Sequence, residues 1–293
     1  MEPPPNASDH PVLTSPQNQR VKQLVRLRDR RPRDRAGVFL IEGYRALLRA
    51  LEQQVPIAEL YICPSLFQGD GEADLIDRCR GVGTAVYETS AAVFRKVAYR
   101  DRPEGLLAVA PQRHLGLDQA ALGSIPLVLV AEAIEKPGNL GTMLRAADAT
   151  GVDALVLCDP CTDLFNPNVV RASTGALFSV PVIETESTAA LAWLKACEIP
   201  ILAATPHGRD LYTDVDMSGP LAIAVGAEQY GLSNEWLDQA DLQVRIPMLG
   251  MADSLNVSSA TTLLLYEAVR QRSLNLNPRE PANAVGSHDS APR

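Results

Sequence analysis

The sequence predicts an α/β protein of two domains, the second of which is built on a parallel sheet. The chain of 293 residues is long enough for two ordinary domains, and 46% of it is hydrophobic, which is typical of globular proteins. Short β-rich runs alternate with segments of helical period along most of the chain. In the second half, unbroken apolar runs such as 127–131 are typical of strands buried on both faces of a parallel sheet.

Both ends of the chain differ in composition from the part between them. Residues 1–16 and 274–293 are rich in Pro, Asn, Ser and charged residues and lack apolar periodicity, so we expect disordered tails. The N-terminus has neither the basic nor the apolar region of an export signal, and no apolar run is long enough to span a bilayer. These features predict a cytoplasmic protein that does not associate with membranes.

Residues 17–112 are predicted to form a small α/β domain. It begins with a basic helix after Ser15, which is a suitable N-cap. Strands are predicted at 38–41, 60–63, 85–87 and 106–110, and helices at 44–53, 74–80 and 91–97. The polar, glycine-containing segment 113–125 is predicted to be a linker.

Residues 126–273 are predicted to form the second α/β domain. Its strands are predicted at 127–131, 154–157, 201–204, 221–225 and 244–246. Its helices are predicted at 141–149, 189–196, 234–240 and 257–270.

The charge is distributed unevenly along a chain whose net charge is −8. Residues 1–113 contain 17 basic and 14 acidic residues, whereas the remainder is strongly acidic. Within 20–35, eight basic residues accompany two acidic ones, which indicates either a surface for a polyanion or a solvated helix face. The first interpretation selects an RNA-binding set: Arg20, Lys22, Arg26, Arg28 and Arg30.

Three loops at predicted strand ends are candidates for the functional site. The first, 137–145, contains Asn139, a suitable cap for the following helix, and Arg145, predicted to lie in its second turn with Asp148 placed to orient it. That arginine could face a phosphate. Glycines and an asparagine cap are also ordinary in a turn between a strand and a helix, so this loop alone leaves both interpretations open.

The second and third loops carry polar groups in surroundings suited to a ligand. In 226–233, Glu228 lies between two glycines, which let a ligand approach the backbone, although a plain turn with an acidic helix start has the same pattern. The loop 246–258 combines two methionines with Ser254, Asn256 and Ser258, as in a partly apolar pocket. Methionines also simply fill gaps in a core.

Taken together and in this order, the three loops resemble motifs 1, 2 and 3 of the SpoU family, the TrmH-like branch of the knotted SPOUT methyltransferases. The matching segments are PGNLGTMLRAADA, VGAEQYGLS and IPMLGMADSLNVSSATTLLLYEA. The stretch 168–178 resembles the family's link between motifs 1 and 2, and the likeness extends over 17–272, including a substrate-binding domain before the linker. Two positions depart from the family pattern. Lys136 occupies a position where the family often has an acidic residue, and Ala227 occupies one where Asn is common.

The resemblance implies a C-terminal parallel-sheet SPOUT domain with a deep trefoil knot, preceded by a small α/β substrate-binding domain. It also implies a homodimer that uses S-adenosylmethionine to methylate a ribose 2′-oxygen in structured RNA. The expected substrate is 23S ribosomal RNA, with tRNA as the alternative. The positions that match the family's cofactor loops are Gly226, Ala227, Ile246, Met248 and Leu255.

By the same resemblance, Arg145 is the residue placed to activate the ribose hydroxyl. A guanidinium is practically never deprotonated, so we expect it to act electrostatically or through a phosphate. Arg171, in the stretch between motifs 1 and 2, joins the predicted RNA-binding residues. The residues expected to shape the pocket and hold the substrate are Asn139, Glu228, Ser254 and Asn256.

Other classes of protein are less well supported by the sequence. A catalytically silent RNA-binding or ribosome-assembly factor on the same scaffold is the main alternative, and the intact Asn139, Arg145 and Glu228 argue against it. The pair Cys158 and Cys161 imitates a redox motif but lacks the long helix that such a motif requires. The four histidines show no paired spacing, so no metal site is expected.

Overall fold

The structure is a computed structural model that describes residues 12–275. Residues 1–11 and 276–293, most of the two tails expected to be disordered, lie outside the described residues. Leu13, in the segment expected to be a disordered tail, pairs with the edge of a sheet. Its N–H donates to the carbonyl of Glu88 at 2.8 Å, and its carbonyl accepts from the N–H of Ser90 at 3.0 Å.

The N-terminal sheet has four strands in the order β1-β4-β2-β3. Strand β4 is antiparallel to β1 and β2, while β2 and β3 are parallel. The strands are β1 (Val38–Glu42), β2 (Glu59–Ile62), β3 (Ala85–Glu88) and β4 (Leu106–Pro111). The helices are α1 (Gln19–Arg26), α2 (Arg30–Ala36), α3 (Tyr44–Glu52), α4 (Glu72–Gly81) and α5 (Ala91–Val97).

The two faces of this sheet are covered by different helices. Side chains alternate between the faces along a strand, so neighbouring residues of β1 enter different cores. Phe39 packs in a core with Leu47 of α3, whereas Leu40 packs in another with Val21 of α1 and Phe94 of α5. Helices α1 and α5 therefore lie on the opposite face of the sheet from α3.

The second sheet has seven strands in the order β7-β6-β5-β10-β8-β11-β9, paired in parallel. Its strands are β5 (Leu127–Glu132), β6 (Ala154–Cys158), β7 (Val182–Thr185), β8 (Ile201–Ala204), β9 (Asp210–Leu211), β10 (Leu221–Val225) and β11 (Leu242–Arg245). Its helices are α6 (Pro137–Thr150), α7 (Pro167–Ser173), α8 (Ser187–Ala196), α9 (Asn234–Gln239) and α10 (Val257–Asn275). The predicted α/β class with a parallel sheet is confirmed, and the trefoil knot stays a prediction.

Some elements differ from those expected from the sequence. The basic segment forms two helices, and α1 begins after Asn18, whose side chain accepts from the N–H of Arg20 at 2.9 Å, rather than after Ser15. Strands β7 and β9 and helix α7 were not expected. The last strand ends at Arg245, so Ile246 lies in the following loop.

The two domains share a core at a seam formed by β1, α2 and the segment around α7. The ring of Phe39 lies 4.9 Å from that of Phe165, measured between ring centres, and 6.2 Å from that of Phe178. Beside them, the fully buried Arg33 forms an ion pair with Asp163. Because aromatic and ionic contacts both cross the seam, the N-terminal domain is held firmly on the C-terminal one.

Candidate active site

The carboxylate of Glu228 ties the loop after β10 to the start of α6. One of its oxygens accepts from the side-chain amide of Asn139 at 2.6 Å and from the N–H of Lys136 at 3.2 Å. The other accepts from the N–H of Glu135 at 3.1 Å. Partial burial alone would raise the pKa of this carboxyl, but these hydrogen bonds lower the pKa of Glu228 below its ordinary value. Glu228 is therefore an ionised acceptor.

Asn256 extends this network to the third motif. Its side-chain N–H donates to the carbonyl oxygen of the Asn139 amide at 3.0 Å. Its own oxygen accepts from the N–H and the hydroxyl of Ser258, at 3.0 Å and 2.6 Å. Because the Glu228 carboxylate can only accept, the orientation of both asparagine amides is determined. One chain of hydrogen bonds thus joins all three motifs.

Helix α6 begins earlier than the sequence indicated, which changes the expected roles of two residues. Pro137 occupies the first turn, where its missing N–H costs nothing, so Asn139 lies inside the helix and is not its cap. Arg145 accordingly lies in the third turn rather than the second. Asp148 accepts from the hydroxyl of Ser179 at 2.5 Å and was wrongly expected to orient Arg145.

Arg145 is exposed at the edge where α6 meets α7. A Cβ atom added at Gly141 would lie 2.4 Å from the Cβ of Ala172, so the two helices are in direct contact there. Arg145 follows Gly141 by one turn and lies on the same side of α6. Among residues 12–275, no hydrogen bond or ion pair engages its guanidinium, which leaves all its donors for a ligand.

The loops that were expected to hold the cofactor follow β10 and β11. A Cβ atom added at Gly226 would lie 2.1 Å from the carbonyl carbon of Gly231, so the loop folds back on itself only because residue 226 is glycine. Ala227 is buried, Ile246 and Met248 are half-buried, and Leu255 is 38% exposed.

These loops fit a cofactor with an adenosine group and an aliphatic sulfonium chain. Large apolar side chains are exposed along them, among them Tyr230, Leu249 and Met251, next to polar backbone at strand ends. In parallel sheets, ligands bind outside the carboxyl ends of the strands. Gly226, Ala227, Ile246, Met248 and Leu255 are the residues that would hold it.

Two predicted site residues lie outside the hydrogen-bond network, and one residue inside the site, Glu132, was missed. Ser254 and Arg145 are exposed and unconnected to the network within the described residues. Glu132, buried at the end of β5, accepts from the N–H of Ser233 at 2.8 Å and anchors the loop that contains Glu228. The sequence signal for Glu132 was an acidic residue at the end of an apolar strand. Ser258, quoted within the third motif, orients Asn256.

The predicted RNA-binding residues divide into two groups. Arg20 pairs with Glu59, and its guanidinium lies 4.3 Å from the centre of the Tyr87 ring. Arg28 donates to the carbonyls of Lys96, at 2.6 Å, and Ala98. These two arginines therefore have structural contacts. The residues that face solvent are Lys22, Arg26, Arg30, which pairs loosely with Asp34 at 3.4 Å, and Arg171.

The described part of the chain contains neither a membrane-spanning helix nor a cluster of metal-ligating side chains. Between residues 12 and 275, no helix is both long and apolar enough to cross a membrane. Over the same range, no three His, Cys, Asp or Glu residues are grouped as metal ligands would be. All five cysteines are free, and burial raises the pKa of Cys158 to about 12, which makes it a poor nucleophile.

Comparison with known proteins connects both domains to RNA methylation. Residues 126–266 match the model of the SpoU rRNA methylase family, and residues 18–108 match the MRM3-like substrate-binding domain. Over 255 residues the chain is 33% identical to a 23S rRNA (uridine(2479)-2′-O)-methyltransferase of Streptomyces viridochromogenes, covering 84% of this chain and 87% of that protein.

Solved structures agree with this relationship. An RNA 2′-O ribose methyltransferase is 41% identical with a TM-score of 0.80, and the match covers 90% of this chain and 100% of that one. An rRNA methyltransferase from Sinorhizobium meliloti, solved with bound AdoMet (S-adenosylmethionine), is 29% identical with a TM-score of 0.81, covering 89% and 97%. The resemblance carried by the three motifs is confirmed, and the chain belongs to the SpoU rRNA methylase family.

Proposed function

We propose that this protein methylates a ribose 2′-oxygen in 23S ribosomal RNA, in the cytoplasm, with S-adenosylmethionine as methyl donor. The observation that carries the proposal is the hydrogen-bond chain from Glu228 through Asn139 to Asn256, which brings the three motifs to one edge of the sheet. The 23S rRNA methyltransferase among the relatives and the AdoMet-bound structure support the substrate and the cofactor.

The residues of the site divide the catalytic task. S-adenosylmethionine, when bound, supplies an electrophilic methyl group. Holding the ribose hydroxyl in line with it is the larger contribution, worth about 7–11 kcal/mol in well-oriented systems. Arg145 cannot accept the proton of the hydroxyl, so it stabilises the developing negative charge on the oxygen or positions a substrate phosphate that takes the proton.

Asn139 is the residue that connects the other two motifs, so it provides the direct test. We expect Asn139→Ala to lower methyl transfer about 100-fold, because both Glu228 and Asn256 lose their partner. Transfer is measured with tritiated S-adenosylmethionine and an unmodified 23S rRNA transcript. Thr142→Ala, which removes an exposed hydroxyl bonded within the same helix, is the control and should stay near wild-type activity. Near-normal turnover by Asn139→Ala would refute the assignment.

Two further measurements separate this function from its alternatives. Binding of S-adenosylmethionine in a calorimeter is expected, and its absence would favour a silent RNA-binding factor. Mapping 2′-O-methyl groups in RNA from cells with and without the gene should reveal a missing site in 23S rRNA. A site missing from tRNA instead would favour the tRNA alternative.

We also propose that the protein is a homodimer whose second copy covers an apolar surface around the third motif. Exposed apolar side chains occur on the loop, at Leu249 and Met251, and on α10, at Leu263 and Tyr266. Light scattering after gel filtration should give the mass of two chains. Tyr266→Glu should reduce it to one, while Ser273→Glu on the same helix should not, and a monomeric wild-type protein would contradict the proposal.

A further inference from the structure

A groove of about 570 Å³ lies between the two domains. Its walls are the start of α3, the loop before α4, and the end of α7, so neither domain forms it alone. The volume lies in the range of pockets that hold a small organic ligand. Its lining is polar and includes Arg45, Asp70, Arg100, Arg171 and Thr174.

Part of the charge in the groove is already satisfied by the protein. Arg100 pairs with Glu104. The buried carboxylate of Glu72 accepts the N–H groups of Gln68, at 3.1 Å, and Gly69, at 2.9 Å, and so shapes the loop. These groups form the walls of the groove rather than its ligand-binding groups.

Two guanidinium groups of the groove remain available. Arg45 and Arg171 are exposed, and within the described residues neither has an ion-pair partner. Asp70 is the remaining exposed acid in the lining. The groove therefore offers one cation from each domain, Arg45 on α3 and Arg171 on α7, together with hydrogen-bonding groups in the same lining, which suits a nucleotide and its flanking phosphates.

The position of the groove relates it to the candidate active site. Arg171 lies on α7, which contacts α6 at Gly141, and Arg145 lies one turn further along that edge of α6. The basic helix α1, by contrast, lies on the opposite face of the N-terminal sheet from α3 and Arg45. An RNA strand that follows the groove is thus directed towards Arg145, whereas one bound to α1 is not.

We propose that this groove binds one nucleotide of the RNA strand beside the target ribose, with Arg45 and Arg171 contacting its flanking phosphates. The proposal rests on the proposed function, since it assigns part of the RNA path to the same site. According to this proposal, the surface that guides the RNA is the groove between the domains and not the basic helix α1.

Filter binding of an unmodified 23S rRNA transcript at several salt concentrations tests this proposal. We expect the double variant Arg45→Ala, Arg171→Ala to bind about tenfold more weakly, and the slope of log affinity against log salt to become shallower by about 1.4, the value for two lost phosphate contacts on a single strand. Arg45→Lys, which keeps the charge, should retain most of the slope. Arg95→Ala, on the exposed side of α5, is the control and should behave as wild type.

The outcomes separate the groove from the function. In methylation assays we expect the double variant to raise KM for the RNA more than it lowers kcat at saturating RNA, because both arginines are proposed to contact flanking phosphates rather than the reacting atoms. If the wild type binds the transcript without methylating it, the proposed function fails for that RNA while the affinities still test the groove. Equal affinity and equal salt slope for the Arg45→Ala, Arg171→Ala double variant and for Arg95→Ala would overturn the groove proposal.

Discussion

The arginines of this protein form two groups that look alike in the sequence. Arg20, Arg28 and Arg33 donate hydrogen bonds to carboxylates and backbone carbonyls of the protein itself. Arg145 and Arg171 face solvent, and no partner for them is present in the described part of the chain. The first group belongs to the densest basic run in the chain, so charge density along the sequence does not tell which of its arginines are free to bind an anion.

The largest effect on activity is expected from replacing Arg145, a member of the solvent-facing group. We expect Arg145→Ala to lower kcat about 10²–10⁴-fold, because charge on the attacking oxygen is no longer stabilised. Its melting temperature should remain within about 1–2 °C of wild type, because an exposed side chain without partners is removed. Tritium transfer and calorimetry measure the two effects. A variant that keeps its activity, or loses its fold, would break the comparison.

Arg33→Met should show the opposite pattern. The substitution leaves Asp163 and the carbonyls of Leu27 and Arg28 without their donor in a buried position, which destabilises the protein by about 3–5 kcal/mol. Urea unfolding followed by circular dichroism measures this loss. Arg31→Met, at an exposed position of the same helix, should change stability by less than about 0.5 kcal/mol. Equal stability of the two variants would contradict a structural role for Arg33.

The solvent-facing residues of α1 provide a finer test. Lys22→Ala with Arg26→Ala should weaken binding of the 23S rRNA transcript only about twofold, since both residues lie on the face of the sheet opposite α3. Filter binding beside the Arg45 and Arg171 variants compares the two surfaces directly. A loss larger than that of the groove variants would restore the basic helix as the main RNA surface.

The smallest expected effect concerns acid stability. Hydrogen bonds hold the pKa of Glu228 below its ordinary value of 4.5, so its charge stabilises the folded state above that pH. This contribution is lost as the pH falls through the lower, folded-state pKa. The melting temperature of wild type should therefore exceed that of Glu228→Gln most at neutral pH, and the difference should shrink below about pH 4.5. Calorimetry across pH 3–7 would show this, and a constant difference would argue against it.

Much of the fold could be predicted because apolar runs mark buried strands. The strands β8 and β10 begin and end where the runs 201–204 and 221–225 do. Helix α7 was missed because the dipeptide Asn166-Pro167 is typical of a turn. In the structure Asn166 caps that helix, accepting from the N–H of Asn168 at 2.9 Å, and Pro167 occupies its first turn.

The identity of the site residues was easier to predict than their connections. Motif resemblance selected Asn139, Glu228 and Asn256, but the hydrogen bond between Asn139 and Asn256 joins residues 117 positions apart. No local pattern encodes such a contact. For the same reason the sequence could not distinguish the buried Arg33 from its exposed neighbours, since its partner Asp163 lies in the other domain.

The seam around Phe39 also has a consequence for how a folded RNA can be recognised. Closing one domain onto the other like a clamp would have to separate packed aromatic rings and a buried ion pair. We therefore expect the two domains to keep their relative positions when RNA binds, so that the RNA is the partner that changes conformation. The rate of methylation would then depend on how often the target loop of the RNA opens. Substitutions that weaken the seam contacts should allow a wider range of nucleotides to be methylated.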